Sequence, residues 1–163
     1  MRGQMSILRI FLFTLVVALL HASQGYADFT DKPACLSGNI KKCVDYGSTK
    51  GLSWDEAKIA LELACDANDL EGCYILADSN SRRSEFGEAI EKFNKSIEIA
   101  KKLGQAGAVQ LCHKKLGELY LRIDKTKQAM QFFNLACKEG DRESCENVSH
   151  CKAHNKATCG DLK

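Results

Sequence analysis

Apolar side chains recur along most of this chain at the three- and four-residue spacing of amphipathic helices. Between Asp55 and Cys65 one face collects Ala57, Ala60, Leu61, Ala64 and Cys65. Between Glu88 and Ile97 it collects Ala89, Phe93, Ser96 and Ile97, and between Gln128 and Cys137 it collects Ala129, Phe133, Ala136 and Cys137. Each segment carries an alanine, a large apolar residue four later, a small one seven later, and Cys or Ile eight later. The starting alanines lie 32 and 40 residues apart, within the range of helical solenoids. A second helix precedes two of these: Ala77 and Gly117 each stand twelve residues before the next alanine. Small residues there let two helices approach closely. The stretch from Ala106 to Arg122 is unbroken, with Leu111, Leu116, Leu119 and Tyr120 as its expected apolar side. The pattern predicts about three and a half antiparallel helix pairs with Leu61, Phe93, Leu116, Leu119 and Phe133 in the core.

The cysteines refine this picture. Four pairs share the spacing Cys-x7-Cys: Cys35 and Cys43, Cys65 and Cys73, Cys137 and Cys145, Cys151 and Cys159. Along an unbroken helix, positions eight apart are separated by about 12 Å, whereas a disulfide needs α-carbons about 5.5 Å apart. Bridged pairs therefore require the chain to turn back between them. The intervening Asp66–Gly72, Lys138–Ser144 and Leu36–Lys42 segments contain the Gly, Asn and Asp that end one helix and cap the next. Between Cys151 and Cys159 the turn signal is only His154-Asn155, and Cys145, Cys151, His154 and Cys159 can also be drawn as a zinc set. Oxidation favours a fourth disulfide, so no metal and no cofactor is expected. Cys112 has no partner at this spacing. It reads as a free, buried thiol, with a reactive thiol or an intermolecular bridge as the alternative. His113 beside it reads as a surface histidine.

The amino-terminal 27 residues have a different pattern. Arg2 and Arg9 precede an apolar run from Ile10 to Leu20, which spans roughly 16 Å as a helix against about 30 Å of hydrocarbon core. Gly25 and Ala27 then supply the small residues of a cleavage site. Residues 1–27 are expected to be a signal peptide, and 28–163 the mature domain, with 145–163 capping it; an uncleaved anchor is the alternative. The expected location is exported, periplasmic or secreted, which makes disulfides reasonable. No later run suggests a membrane span. Lys and Arg number 23 against 21 Asp and Glu, and both excess cations lie in the signal. The mature chain is balanced, which argues against nucleic-acid binding.

Gly117, Tyr120, Ala129, Phe133 and Ala136 resemble the small-aromatic-small consensus of tetratricopeptide repeats. Together with the Cys-x7-Cys staples, they resemble the Sel-one-like repeats of the secreted Helicobacter cysteine-rich protein family, over about residues 33–150. The resemblance implies an all-α, right-handed α-solenoid stapled by disulfides between consecutive repeats. It departs from the pattern in the middle, where Ile97 and Lys101 stand at positions from which a bridge would start and Cys112 is one residue out of register.

Two functions follow as expectations. In such a solenoid the first helix of each pair lines a concave surface. Carried over by register, Tyr74, Asp78, Lys114 and Glu118 would face a groove that holds a peptide or protein partner. The alternative is a β-lactamase or penicillin-binding hydrolase, a label the resembled family carries. Serine enzymes of that kind combine Ser-x-x-Lys with Ser-Asp-Asn and Lys-Thr-Gly. Here Ser149-His150-Cys151-Lys152 matches the first element and the companions are missing. No catalytic residue is assigned.

Overall fold

The computed structural model describes residues 31–154. The proposed signal peptide, the mature terminus at Asp28, and Cys159 lie outside them. Among the described residues there are eight helices and no strand: α1 (Asp31–Leu36), α2 (Ile40–Gly47), α3 (Trp54–Asp66), α4 (Leu70–Arg82), α5 (Phe86–Lys102), α6 (Ala106–Arg122), α7 (Thr126–Lys138) and α8 (Arg142–His154). Each packs chiefly on its neighbours in sequence, and α1 also touches α3, α2 touches α4, and α4 touches α6. None of these helices is long and apolar enough to cross a membrane.

One turn is used six times. After α1, α3, α4, α5, α6 and α7 the chain reverses through three residues, and the middle one has positive φ: Gly38, Asn68, Ser84, Gly104, Asp124 and Gly140. The N–H after it donates back to a carbonyl five residues earlier: Asn39 to Ala34, Asp69 to Ala64, Glu85 to Asn80, Gln105 to Ala100, Lys125 to Tyr120 and Asp141 to Ala136, all at 2.9–3.0 Å. This six-to-one bond is the Schellman closure of a helix end. Three of the following helices are then restarted by a side-chain cap, in which Asn39, Asp69 and Asp141 accept from the N–H of Lys42, Gly72 and Ser144; after the longer α2–α3 connection Ser53 accepts from Glu56 in the same way.

The staples follow from that turn. In all three described disulfides the first cysteine lies three residues before the left-handed residue and the second five after it. Cys35–Cys43, Cys65–Cys73 and Cys137–Cys145 have α-carbons 4.5, 4.3 and 4.7 Å apart. Cys151 is disulfide-bonded as well. Because Cys145 is joined to Cys137, it is not available to the zinc set drawn from the sequence.

The 40-residue interval is explained by helix length. α5 and α6 have 17 residues each, against 13 for α3, α4 and α7. One extra helical turn on either side of the Gly104 reversal lengthens the hairpin without lengthening its loop. The equivalent large residues Leu61, Phe93 and Phe133 are 1% exposed. Each packs where the preceding first helix offers a small residue. A Cβ added to Gly47 would lie 2.6 Å from Leu61 Cγ, and one added to Gly117 would lie 2.7 Å from the Phe133 ring. Ala77 shares a core cluster with Phe93. Leu116 and Leu119 are also core. Leu111 is not: it is 40% exposed, and Cys112 takes the buried position beside it.

Two outcomes are expected from this architecture. Ser84 occupies a left-handed position that costs an L-residue with a Cβ roughly 1–2 kcal/mol, so Ser84→Gly should raise unfolding free energy by up to about 1 kcal/mol after the entropy of glycine is counted. Urea denaturation showing a loss of stability would contradict the turn geometry. Replacing Cys65 and Cys73 together by Ser should cost roughly 2–3 kcal/mol, the value for a short closed loop, and disulfide mapping of the intact protein should recover the Cys65–Cys73 pair in one peptide.

Candidate functional site

The four groove residues expected from the sequence sit on α4 and α6, which touch. Tyr74 and Asp78 are half-buried on α4, one turn apart, and Glu118 is half-buried on α6. Between the two helices is a cleft of about 340 Å³ lined by Asp78, Ser81 and Arg82 from α4 and by Lys115, Glu118 and Arg122 from α6, with Leu119 at its base. Asp78 pairs with Arg82 along α4. Lys115 donates to Glu118 at 2.8 Å along α6. Arg122 crosses the cleft, its Nη1 donating to the Ser81 carbonyl at 2.8 Å and to Ser81 Oγ at 3.0 Å, while its guanidinium lies 5.0 Å over the Phe86 ring.

The charges are coupled across the helices. Burial, and then the Asp78 carboxylate, push the Tyr74 phenol above its ordinary value, and the Lys115 charge acts in the opposite sense. The Glu118 carboxylate holds the Lys115 ammonium above the usual lysine value. Tyr74 is fixed from beneath by an edge-on contact with Phe93, with centroids 5.9 Å apart. Its other neighbour is a hollow of about 460 Å³ where the turn at Asn68 and Asp69 faces Leu103 and Gln105.

Lys114 does not join that cleft. It pairs with Glu143 and lies 3.9 Å from Asp141, at the start of α8. The Glu143 carboxylate raises its ammonium above the usual range. Lys114 therefore ties α6 to α8, while the neighbouring Lys115 faces α4. The sequence reading missed Lys115, Arg82, Arg122 and Ser81. A signal for the arginines was present: Asp78-x3-Arg82 and Glu118-x3-Arg122 repeat a carboxylate four residues before an arginine, 40 residues apart.

His113 is a correction. It is 6% exposed rather than on the surface. Its Nδ1 lies 2.8 Å from Glu139 Oε2, and its ring is tilted against Phe132 at 6.2 Å. Gln110 secures the same place by donating to the Glu139 carbonyl at 2.7 Å. The reason is that α6 is covered on two sides, so adjacent residues both become buried: Cys112 enters the cluster of Phe93 and Ile97, and His113 turns to α7. Cys112 itself is free and 1% exposed. Burial pushes its thiol up to about 12, which leaves no appreciable thiolate at neutral pH. Ser149 and Lys152 of the Ser-x-x-Lys match are both exposed on α8. Among the described residues no group of three or more His, Cys, Asp or Glu is placed to hold a metal ion.

No family model matches the chain, and no match is found among curated proteins or solved structures.

The Cys112 environment makes a direct prediction. In native protein at pH 8, Ellman's reagent should leave Cys112 unmodified over hours, and in guanidinium it should react within minutes. Comparison with Cys112→Ser assigns the thiol. Rapid native labelling that disappears in this variant would show that the core around Phe93 and Leu116 opens.

Proposed function

We propose that this chain is an exported interaction module, a disulfide-stapled right-handed solenoid of the cysteine-rich Sel-one-like type, and that it holds a peptide or protein partner along its first helices. The observation that carries this reading is the forty-residue repetition of groove positions on two touching helices. Asp78 and Glu118, and Arg82 and Arg122, are each 40 apart, and α4 and α6 enclose the charged cleft that these four residues line. A surface built from alternating acid, base and hydroxyl groups matches the backbone amides and mixed side chains of an extended polypeptide. Three disulfides support export to an oxidising compartment. The Ser-x-x-Lys match lies on an exposed helix face, away from this cleft, so the hydrolase reading gains no support.

The test is binding of the oxidised mature protein to an arrayed peptide library and to protein from periplasmic and culture fractions. For any partner so found, Asp78→Lys with Glu118→Lys should weaken affinity by on the order of tenfold or more, because it reverses both acidic charges of the cleft. Lys152→Ala on α8 should leave it unchanged. Partner affinities indifferent to the Asp78 and Glu118 changes would remove the α4–α6 cleft as the binding site.

A further inference from the structure

The charges of the α4–α6 cleft do not balance. It is lined by three cations, Arg82, Lys115 and Arg122, and by two acids, Asp78 and Glu118. On each helix an acid stands four residues before an arginine. On α4 that pairing is made, Asp78 with Arg82. On α6 it is not, because Lys115 donates to Glu118 at 2.8 Å. The position equivalent to Lys115 on α4 is Ile75, so Asp78 meets no such competitor. Among the described residues, no acid pairs with Arg122.

Arg122 is nonetheless held in place. Its Nη1 donates to the Ser81 carbonyl at 2.8 Å and to Ser81 Oγ at 3.0 Å, and its guanidinium lies 5.0 Å over the Phe86 ring. The first contact fixes one end of the fork and the second fixes its plane. A guanidinium carries five N–H donors in fixed directions. With Nη1 given to Ser81, the Nε–Nη2 edge keeps two parallel donors, the arrangement that meets both oxygens of one carboxylate. Neither nitrogen of that edge bonds within the described residues. Arg83 makes the contrast. It also lies over an aromatic ring, Trp54 at 4.9 Å, but its Nε already donates to Glu85 at 3.3 Å. Ordering a long side chain before a partner arrives removes part of the entropy cost of binding.

We propose that Arg122 receives the carboxylate of an internal Asp or Glu side chain of the partner polypeptide on its Nε–Nη2 edge, and so sets the charge that the α4–α6 cleft selects. The inference rests on the reading of that cleft as the partner site. The uncompensated positive charge calls for an anion, and the planar edge calls for a carboxylate. The two acids call for an internal residue. Asp78 on α4 and Glu118 on α6 accept backbone N–H groups on either side of the incoming side chain, whereas a chain ending in its own carboxylate has N–H groups on one side only.

The test titrates two pools of short peptides into oxidised, ¹⁵N-labelled protein. Both pools are acetylated and amidated, with randomised flanks, and they differ only in a central Glu or Gln. The Glu pool should shift amides of α4 and α6 and bind on the order of tenfold more tightly than the Gln pool. Arg122→Gln should remove that difference. Arg122→Lys, which keeps the charge without the fork, should remove most of it. Arg122 is exposed, so both variants should fold and keep Cys112 closed to Ellman's reagent. Three results would overturn the proposal and leave the cleft as a peptide site: equal binding of the two pools at α4 and α6, a preference for Glu that survives Arg122→Gln, or tighter binding of a Gln pool with free C-terminal carboxylates. Amide shifts confined to other helices, or none with either pool, would remove the cleft reading and this proposal with it.

Discussion

A helix can reverse within three residues only where one of them takes left-handed backbone, and in this protein that single conformation recurs at Gly38, Asn68, Ser84, Gly104, Asp124 and Gly140. The six-to-one hydrogen bond that follows each fixes where the next helix starts and which of its residues return against the previous one. A cysteine three residues before the left-handed position then faces one five residues after it. The Cys-x7-Cys spacing is thus the covalent record of a backbone closure that also occurs where no cysteine is present.

The middle hairpin shows how the fold manages without sulfur. Around Gly104, Lys101 and Val109 occupy the positions that cysteines hold in the stapled turns. In place of a bridge, α5 and α6 each gain a helical turn and share a core of Phe93, Ile97, Ala100, Val109, Cys112 and Leu116. Each such side chain is worth roughly 1.5–3 kcal/mol when buried, so one or two more on the added turns match the roughly 2–3 kcal/mol of a short-loop disulfide. The free thiol of Cys112 belongs to this packing as a small apolar group.

Much of this was readable in the chain. The alanine, large, small and cysteine pattern of α3 and α7 fixed their buried faces, and Gly140 and Asn68 announced their turns. Ser84 was opaque, because serine is no marker of left-handed backbone; Asp124 belongs to the Gly, Asn and Asp set that tolerates it, but no Cys-x7-Cys pair frames its turn. The 40-residue interval had two physical solutions, a longer loop or longer helices, and hydrophobic spacing alone does not choose between them. His113 was misplaced because a single helical face was assumed for α6, while the structure covers that helix from both α5 and α7. In the cleft, register led to Lys114, yet its direction depends on Asp141 and Glu143 at the next helix start. That is contact information which spacing does not carry.

What the α4–α6 cleft can offer a partner follows from how its charges are already held. In the α4–α6 cleft the charges already have partners in the chain: Asp78 with Arg82, Lys115 with Glu118, and Arg122 with Ser81. Exposed pairs within one helix are worth only about 0.3–0.5 kcal/mol. They keep the groups oriented and are exchanged at small cost for bonds to a bound chain, so the cleft favours selectivity over strength.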